Sequence, residues 1–246
     1  MASPINMNSF EGKRILALVR EGDYAHAGEE EAIERSFRSV PKNPGQRVLD
    51  VGCGRGGSAD YLRRNGWGRV EGIDREAESI EYARATYPEI GFHVCDVLDI
   101  ARTVRRTFDV IYMLNAFYAF DRQRDALAEL RKVAKPSAQL VIFDYTVGPK
   151  SPGEQAPALM PHAIRLSEIA AMLREAGWEP GTVEDLNVEY ARWYATFVER
   201  VQLKRAEIEK IGGTDWYNFV FSMYSGLHGE IASGGLGGAI VHARTD

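Results

Sequence analysis

Between residues 47 and 145 five short apolar runs, at 47–51, 69–73, 91–95, 108–114 and 139–145, alternate with four intervals long enough to carry helices. Such a chain cannot close into an antiparallel meander, because each run is separated from the next by a crossover; it predicts a parallel sheet wound with helices on both faces. The intervals agree. Stretches 58–65 and 77–85 place Ala, Leu, Ile and Tyr at helical spacing, and 121–134 aligns Leu127, Leu130 and Val133 or Ala134 on one stripe. Right-handed connections follow from the twist of the strands.

The flanks extend the pattern. Two helices, 10–19 and 29–40, are joined by the polar stretch 20–28, and 41–45 turns into the first strand. Beyond the alternation, 148–161 holds four of the ten prolines and reads as a loop. Ser167 is placed as the N-cap of a helix through Ala176, followed by a strand at 182–186, a long helix at 188–211, another at 215–231 and a final strand at 238–244. This predicts one domain in three parts: an N-terminal helical lid (1–44), a ligand-binding core (45–147), and a helical cap with the last strands (148–246).

Composition narrows the function classes. At 246 residues and 45% apolar content the chain is long enough for a full core. No run approaches the ~18–20 apolar residues of a membrane helix, and the first residues lack a signal-peptide pattern, so no membrane partner and a cytoplasmic location are expected. Two cysteines, Cys53 and Cys95, argue against a disulfide scaffold and read as packing residues; five histidines show no metal-ligand spacing with them, so no metal is expected. A net charge of -5 disfavours a nucleic-acid partner and favours a small-molecule substrate; a monomer or homodimer is expected.

The strongest motif is Val48-Leu49-Asp50-Val51-Gly52-Cys53-Gly54-Arg55-Gly56-Gly57. The glycines let backbone approach a ligand closely, while Asp50 offers a carboxylate that a pyrophosphate would repel. Twenty residues after Gly54, the second strand ends on Asp74, placed to accept two ribose hydroxyls of NAD or of S-adenosylmethionine alike. Asp96 follows the third strand, where an adenine amino group would find an acceptor. A nicotinamide oxidoreductase shares the loop and Asp74 but has no use for Asp50 or Asp96.

On these residues the sequence resembles the class I S-adenosylmethionine-dependent methyltransferases. The resemblance implies an α/β, Rossmann-like fold: a seven-stranded, mostly parallel sheet whose last strand is antiparallel. It assigns Asp50, Gly52 and Gly54 to the methionine part, Asp74 to the ribose, Asp96 and Val97 to the adenine, and Asn115 to a second contact with the methionine, with Arg75, next to Asp74, as a further cofactor-binding candidate. The Lys-Pro-Gly-Gly usual before the fifth strand is here Lys135-Pro136-Ser137-Ala138.

Shorter motifs, Glu21-Gly22-Asp23-Tyr24-Ala25-His26-Ala27-Gly28, Gly56-Gly57-Ser58-Ala59 and Phe143-Asp144-Tyr145, resemble phosphoethanolamine and sarcosine/dimethylglycine N-methyltransferases. That resemblance implies that Tyr24 closes over cofactor and substrate and that Tyr145 faces the substrate; with His26, these are the catalytic candidates. The histidine of the phosphobase enzymes falls on Ala119 here, so their Tyr–His pair is incomplete. Tyr118, Tyr145, His162, Trp193 and Tyr194 are the substrate-binding candidates, the last two from an aromatic-rich stretch, 190–224. The expected reaction is N-methylation of a small, unphosphorylated amine or heterocycle, releasing S-adenosylhomocysteine. The alternatives are O- or C-methylation of a natural product and a non-catalytic nucleoside-binding protein.

Overall fold

The computed structural model describes residues 5–150 and 160–246, so most of the expected 148–161 loop lies outside the described residues. The chain runs α1 (Phe10–Arg20), α2 (Glu29–Ser36), β1 (Arg47–Val51), α3 (Gly57–Arg64), β2 (Arg69–Asp74), α4 (Ala77–Thr86), β3 (Gly91–Val94), α5 (Ile100–Thr103), β4 (Phe108–Leu114), α6 (Gln123–Lys132), β5 (Ala134–Val147), α7 (Leu166–Glu175), β6 (Glu179–Asp185), α8 (Asn187–Leu203), α9 (Arg205–Gly212), α10 (Thr214–Ser233) and β7 (Leu236–Arg244).

The seven strands form one sheet in the order β3-β2-β1-β4-β5-β7-β6. β7 runs antiparallel to both neighbours, and the β1–β2, β1–β4, β2–β3 and β4–β5 pairs are parallel. The fold is therefore the α/β sheet with an antiparallel last strand that the alternation and the resemblance imply. Because side chains alternate across a strand, β4 feeds two cores at once: Val110, Tyr112 and Leu114 join one layer, Ile111 and Met113 the other. The strand order reverses between β1 and β4, which opens a crevice at their carboxyl ends.

Several boundaries differ from those expected, each for a tertiary reason. The second helix stops at Ser36 instead of residue 40, because Phe37 turns inward to stack edge-on against Trp67 and Tyr112. β5 begins at Ala134 and absorbs the Lys135–Ala138 turn, with a register shift against β4 between Phe108 and Val110. Arg165 holds the N-cap position of α7 and Ser167 lies inside the helix. The single helix expected over 188–211 is two: it breaks at Lys204, whose ammonium pairs with Glu21 at 3.0 Å and lets α9 pack against both α1 and α10. Among the described residues, no helix is long and apolar enough to cross a membrane.

Candidate active site

At the strand-order reversal lies a cavity of about 550 Å³, lined from the ends of β1, β2 and β4, from the segment after β3, and by Asn6, Ser9 and Lys13 at the start of the chain. Gly52 takes a φ of +79°, and a Cβ there would stand 2.6 Å from that of Ala116, so the turn after β1 closes only with glycine. Gly52, Gly54, Asp74, Arg75, Asp96, Val97 and Asn115 all line the cavity.

Asp50 lies behind this lining. It is 3% exposed, and its Oδ2 has no hydrogen-bond partner; the Tyr112 hydroxyl is a close neighbour, outside bonding geometry. Burial pushes the Asp50 carboxyl up to about 7, Tyr112 pulling it down and the charge of Asp74 adding to the rise. Asp74 is tied in place from three sides: Oδ1 accepts from Glu76 N at 2.9 Å, and Oδ2 accepts from Gly54 N at 2.8 Å and from the Lys13 ammonium at 2.9 Å. Nothing in the sequence singles out Lys13, 61 residues away. Asp96 caps the turn after β3 through Leu98 N at 2.9 Å and is exposed towards the cavity.

Asn115, with φ +49°, joins three parts of the molecule. Its backbone N–H donates to Phe143 O at 2.8 Å, its Oδ1 accepts from Ala27 N at 3.0 Å, and its Nδ2 donates to the Tyr190 hydroxyl at 2.9 Å. Core, N-terminal segment and cap thus meet at one cavity-lining side chain.

The catalytic candidates are placed differently from one another. Tyr24 does not line the cavity: its hydroxyl donates to Glu30 at 3.1 Å, on the outer side of the segment. His26 is buried, and Nδ1 faces Ala27 O at 3.1 Å while Nε2 faces the Ser58 hydroxyl at 2.9 Å. Since a carbonyl only accepts, Nδ1 carries the proton and Nε2 accepts from Ser58. Burial pushes His26 down to about 3, so the ring is neutral and both nitrogens are engaged. Tyr145 is buried on β5, its hydroxyl in contact with that of Tyr194.

Among the substrate candidates, Tyr118, Tyr145 and Tyr194 come together. Tyr145 lies 5.1 Å from the Tyr118 ring, 5.6 Å from Tyr190 and 6.0 Å from Tyr194, and Tyr194 stacks on Tyr224 at 6.1 Å. Burial pushes the Tyr145 and Tyr194 phenols up, so both stay neutral. Trp193 is buried as well, its indole N–H donating to Glu31 at 3.0 Å and its ring 6.0 Å from that of Phe143 on β5, and His162 is partly exposed 3.4 Å from Asp121; none of the five substrate candidates lines the cavity itself. Residue type marked Trp193 and Tyr194 alike, and both are buried; adjacent side chains on a helix leave it about 100° apart, so Tyr194 meets Tyr145 and Tyr224 while Trp193 meets Phe143 and Glu31.

The sequence from 48 to 137 matches a methyltransferase-domain family, which begins at β1 and ends inside β5. Phosphoethanolamine N-methyltransferase 3 of Arabidopsis thaliana is 30% identical over 173 residues, 67% of this chain and 35% of that protein. Over residues 48–137 the chain carries a methyltransferase domain, and its fold is that of the class I S-adenosylmethionine-dependent methyltransferases. This methyltransferase spans about a third of the length of its phosphoethanolamine relatives. It is also 26% identical over 190 residues to O-methyltransferase resE of Aspergillus sclerotiorum, 71% of each chain. Its fold is that of phosphoethanolamine N-methyltransferase 2 of Haemonchus contortus, solved with phosphomonomethylethanolamine and S-adenosylhomocysteine (TM-score 0.84, 16% identity, 99% of this chain and 61% of that one). The cyclopropane synthase MmaA2 from Mycobacterium tuberculosis is comparably similar (TM-score 0.83, 15% identity, 97% and 96%).

Proposed function

We propose that the cavity takes S-adenosylmethionine and that the chain transfers a methyl group to a small, unphosphorylated acceptor, on nitrogen in preference to oxygen or carbon. The cavity suits the cofactor: Asp74 and Asp96 offer acceptors to a ribose and an adenine. Gly52 allows close backbone approach, and the buried Asp50 oxygen without a hydrogen-bond partner stands behind the lining as an acceptor for the methionine end. The cofactor brings a methyl group on a sulfonium, a leaving group already activated by its charge.

The chain's own residues then have to align and desolvate, and alignment alone can supply about 7–11 kcal/mol in favourable cases. A strong base is not required for an amine that attacks as its lone pair, the proton being lost to solvent after the C–N bond has formed. His26 is unsuited to that role, with both nitrogens engaged.

The acceptor reading is carried by the tyrosine cluster, which adjoins the cavity through the Asn115–Tyr190 hydrogen bond. The rings of Tyr118, Tyr145, Tyr190, Tyr194 and Tyr224 pack side by side, and an amine cation or a flat heterocycle admitted among them would gain about 0.5–2 kcal/mol per ring face. A phosphate wants a bidentate arginine. The guanidinium beside Tyr194 and Tyr224 is Arg20, and Glu29 already accepts from it at 2.9 Å. A second reading, O-methylation, draws on the relative resE, which this chain matches over most of both lengths.

A methyl-transfer screen over amines, heterocycles, phenols and phosphoethanolamine, read as S-adenosylhomocysteine formed, tests the proposal. Amines or heterocycles are expected to turn over fastest. Phosphoethanolamine leading would overturn the acceptor class, and phenols leading would establish the second reading.

A further inference from the structure

We propose that Lys13, carried by α1, competes with the ribose hydroxyls of the cofactor for Asp74, so that docking of the N-terminal helix and nucleoside binding draw on one carboxylate. This rests on the reading of the cavity as an S-adenosylmethionine site.

The argument is a count of acceptor positions. A carboxylate offers about four lone-pair positions, two on each oxygen. On Asp74 three are taken: Glu76 N on Oδ1, and Gly54 N with the Lys13 ammonium on Oδ2. A vicinal diol donating one hydrogen bond to each oxygen needs two positions, and one remains. A donor must therefore leave. The two N–H groups are fixed, one by the loop after β1 and the other by the turn that opens α4, where Glu76 is the N-cap. Lys13 is the donor on a flexible stem. Its side chain lines the cavity and runs past Gly54, where a Cβ would lie 3.8 Å from the lysine Cδ.

The helix does not have to leave with the ammonium. Asp23 still holds Arg55 at 2.7 Å, and Ala27 N still donates to Asn115 at 3.0 Å, so the segment that follows α1 keeps its anchors on the core when Lys13 lets go. Whatever free energy the Lys13–Asp74 pair contributes is then subtracted from cofactor affinity, because a ligand that displaces a native contact binds more weakly by the worth of that contact. The device trades affinity for a cofactor site that stays neutralised and covered by α1.

Lys13→Met keeps the apolar stem and removes the charge. Calorimetry with S-adenosylhomocysteine should find this variant binding about ten- to a hundredfold tighter than wild type, the worth of one charged hydrogen bond. The gain should disappear in an Asp74→Asn background, since the two changes act on one contact. Lys13→Gln serves if the methionine variant does not fold. Wild type that binds S-adenosylhomocysteine while the Lys13 variants bind equally or more weakly would overturn the competition alone. Wild type that binds none would instead bring down the reading of the cavity, and the competition with it. Amide hydrogen exchange of residues 10–20, measured without cofactor, should speed up in Lys13→Met; unchanged exchange counts against the proposal whatever the cofactor does.

Discussion

Asp144 is fully buried at the end of β5, its Oδ1 accepting from Tyr145 N at 2.7 Å and its Oδ2 from Tyr118 N at 3.0 Å. Burial outweighs those bonds and pushes the carboxyl up to about 7. An unfolded chain releases that proton near pH ~3.9. Through the window between those two values the folded state holds a proton that the unfolded state has lost. The group's contribution to stability is therefore complete below the window and declines as pH rises to about 7. Asp144→Asn carries no charge at any pH. Urea unfolding at pH 5, 6, 7 and 8 should show the variant gaining on wild type as pH rises; a stability gap that stays constant would mean that Asp144 titrates normally. Asp50 has the same sign and remains in both proteins, so it cancels from the comparison.

At the scale of elements, the segment between α1 and α2 is held by its own charges more than by apolar contact. Asp23 accepts from Arg55 Nε at 2.7 Å, from the Tyr87 hydroxyl at 2.8 Å and from the Tyr82 hydroxyl at 3.1 Å, and the Arg55 guanidinium lies 3.5 Å over the Tyr82 ring. One carboxylate thus ties the segment to the glycine loop and to α4. Asp23→Ala should cost about 2–3 kcal/mol in urea unfolding, since charged hydrogen bonds contribute roughly 1.5–3 kcal/mol each and the site is partly wet. It should also expose residues 21–28 to limited proteolysis before the core. Cleavage no faster than in wild type would show that Ala27 and His26 suffice as anchors.

For the whole molecule, the joint between cap and sheet is decisive. Gly238 on β7 pairs with Tyr145 on β5, and the Tyr190 ring of α8 lies directly on its backbone, where a Cβ would collide with the ring carbons. Gly238→Ala has to push Tyr190 away, and the Asn115 hydrogen bond moves with it. Overpacking of this kind costs about 1–3 kcal/mol. The variant should melt lower and lose turnover with the best acceptor, while S-adenosylhomocysteine affinity changes little. Equal losses in turnover and affinity would show that cap and cofactor cavity act as one unit.

The five alternating runs were legible in the sequence because strand and crossover impose their periods locally, and chain order then dictates which carboxylates end at the crevice. Asp50, Asp74 and Asp96 sit at or just beyond strand ends for that reason alone. Other features depend on which surfaces meet. Tyr24 has the right residue type and the right segment, yet its hydroxyl faces Glu30, because the turn of the segment and not its composition sets the direction. The break at Lys204 carries no glycine or proline to announce it; the helix yields because α9 gains contact with α1 and α10. Lys13 reached Asp74 across 61 residues, a pairing that no local period encodes. Hydrogen bonding and periodic burial act between near neighbours and can be read from a string. The direction of a side chain and the partner of a charge are decided by packing between distant elements, and only the folded chain holds them.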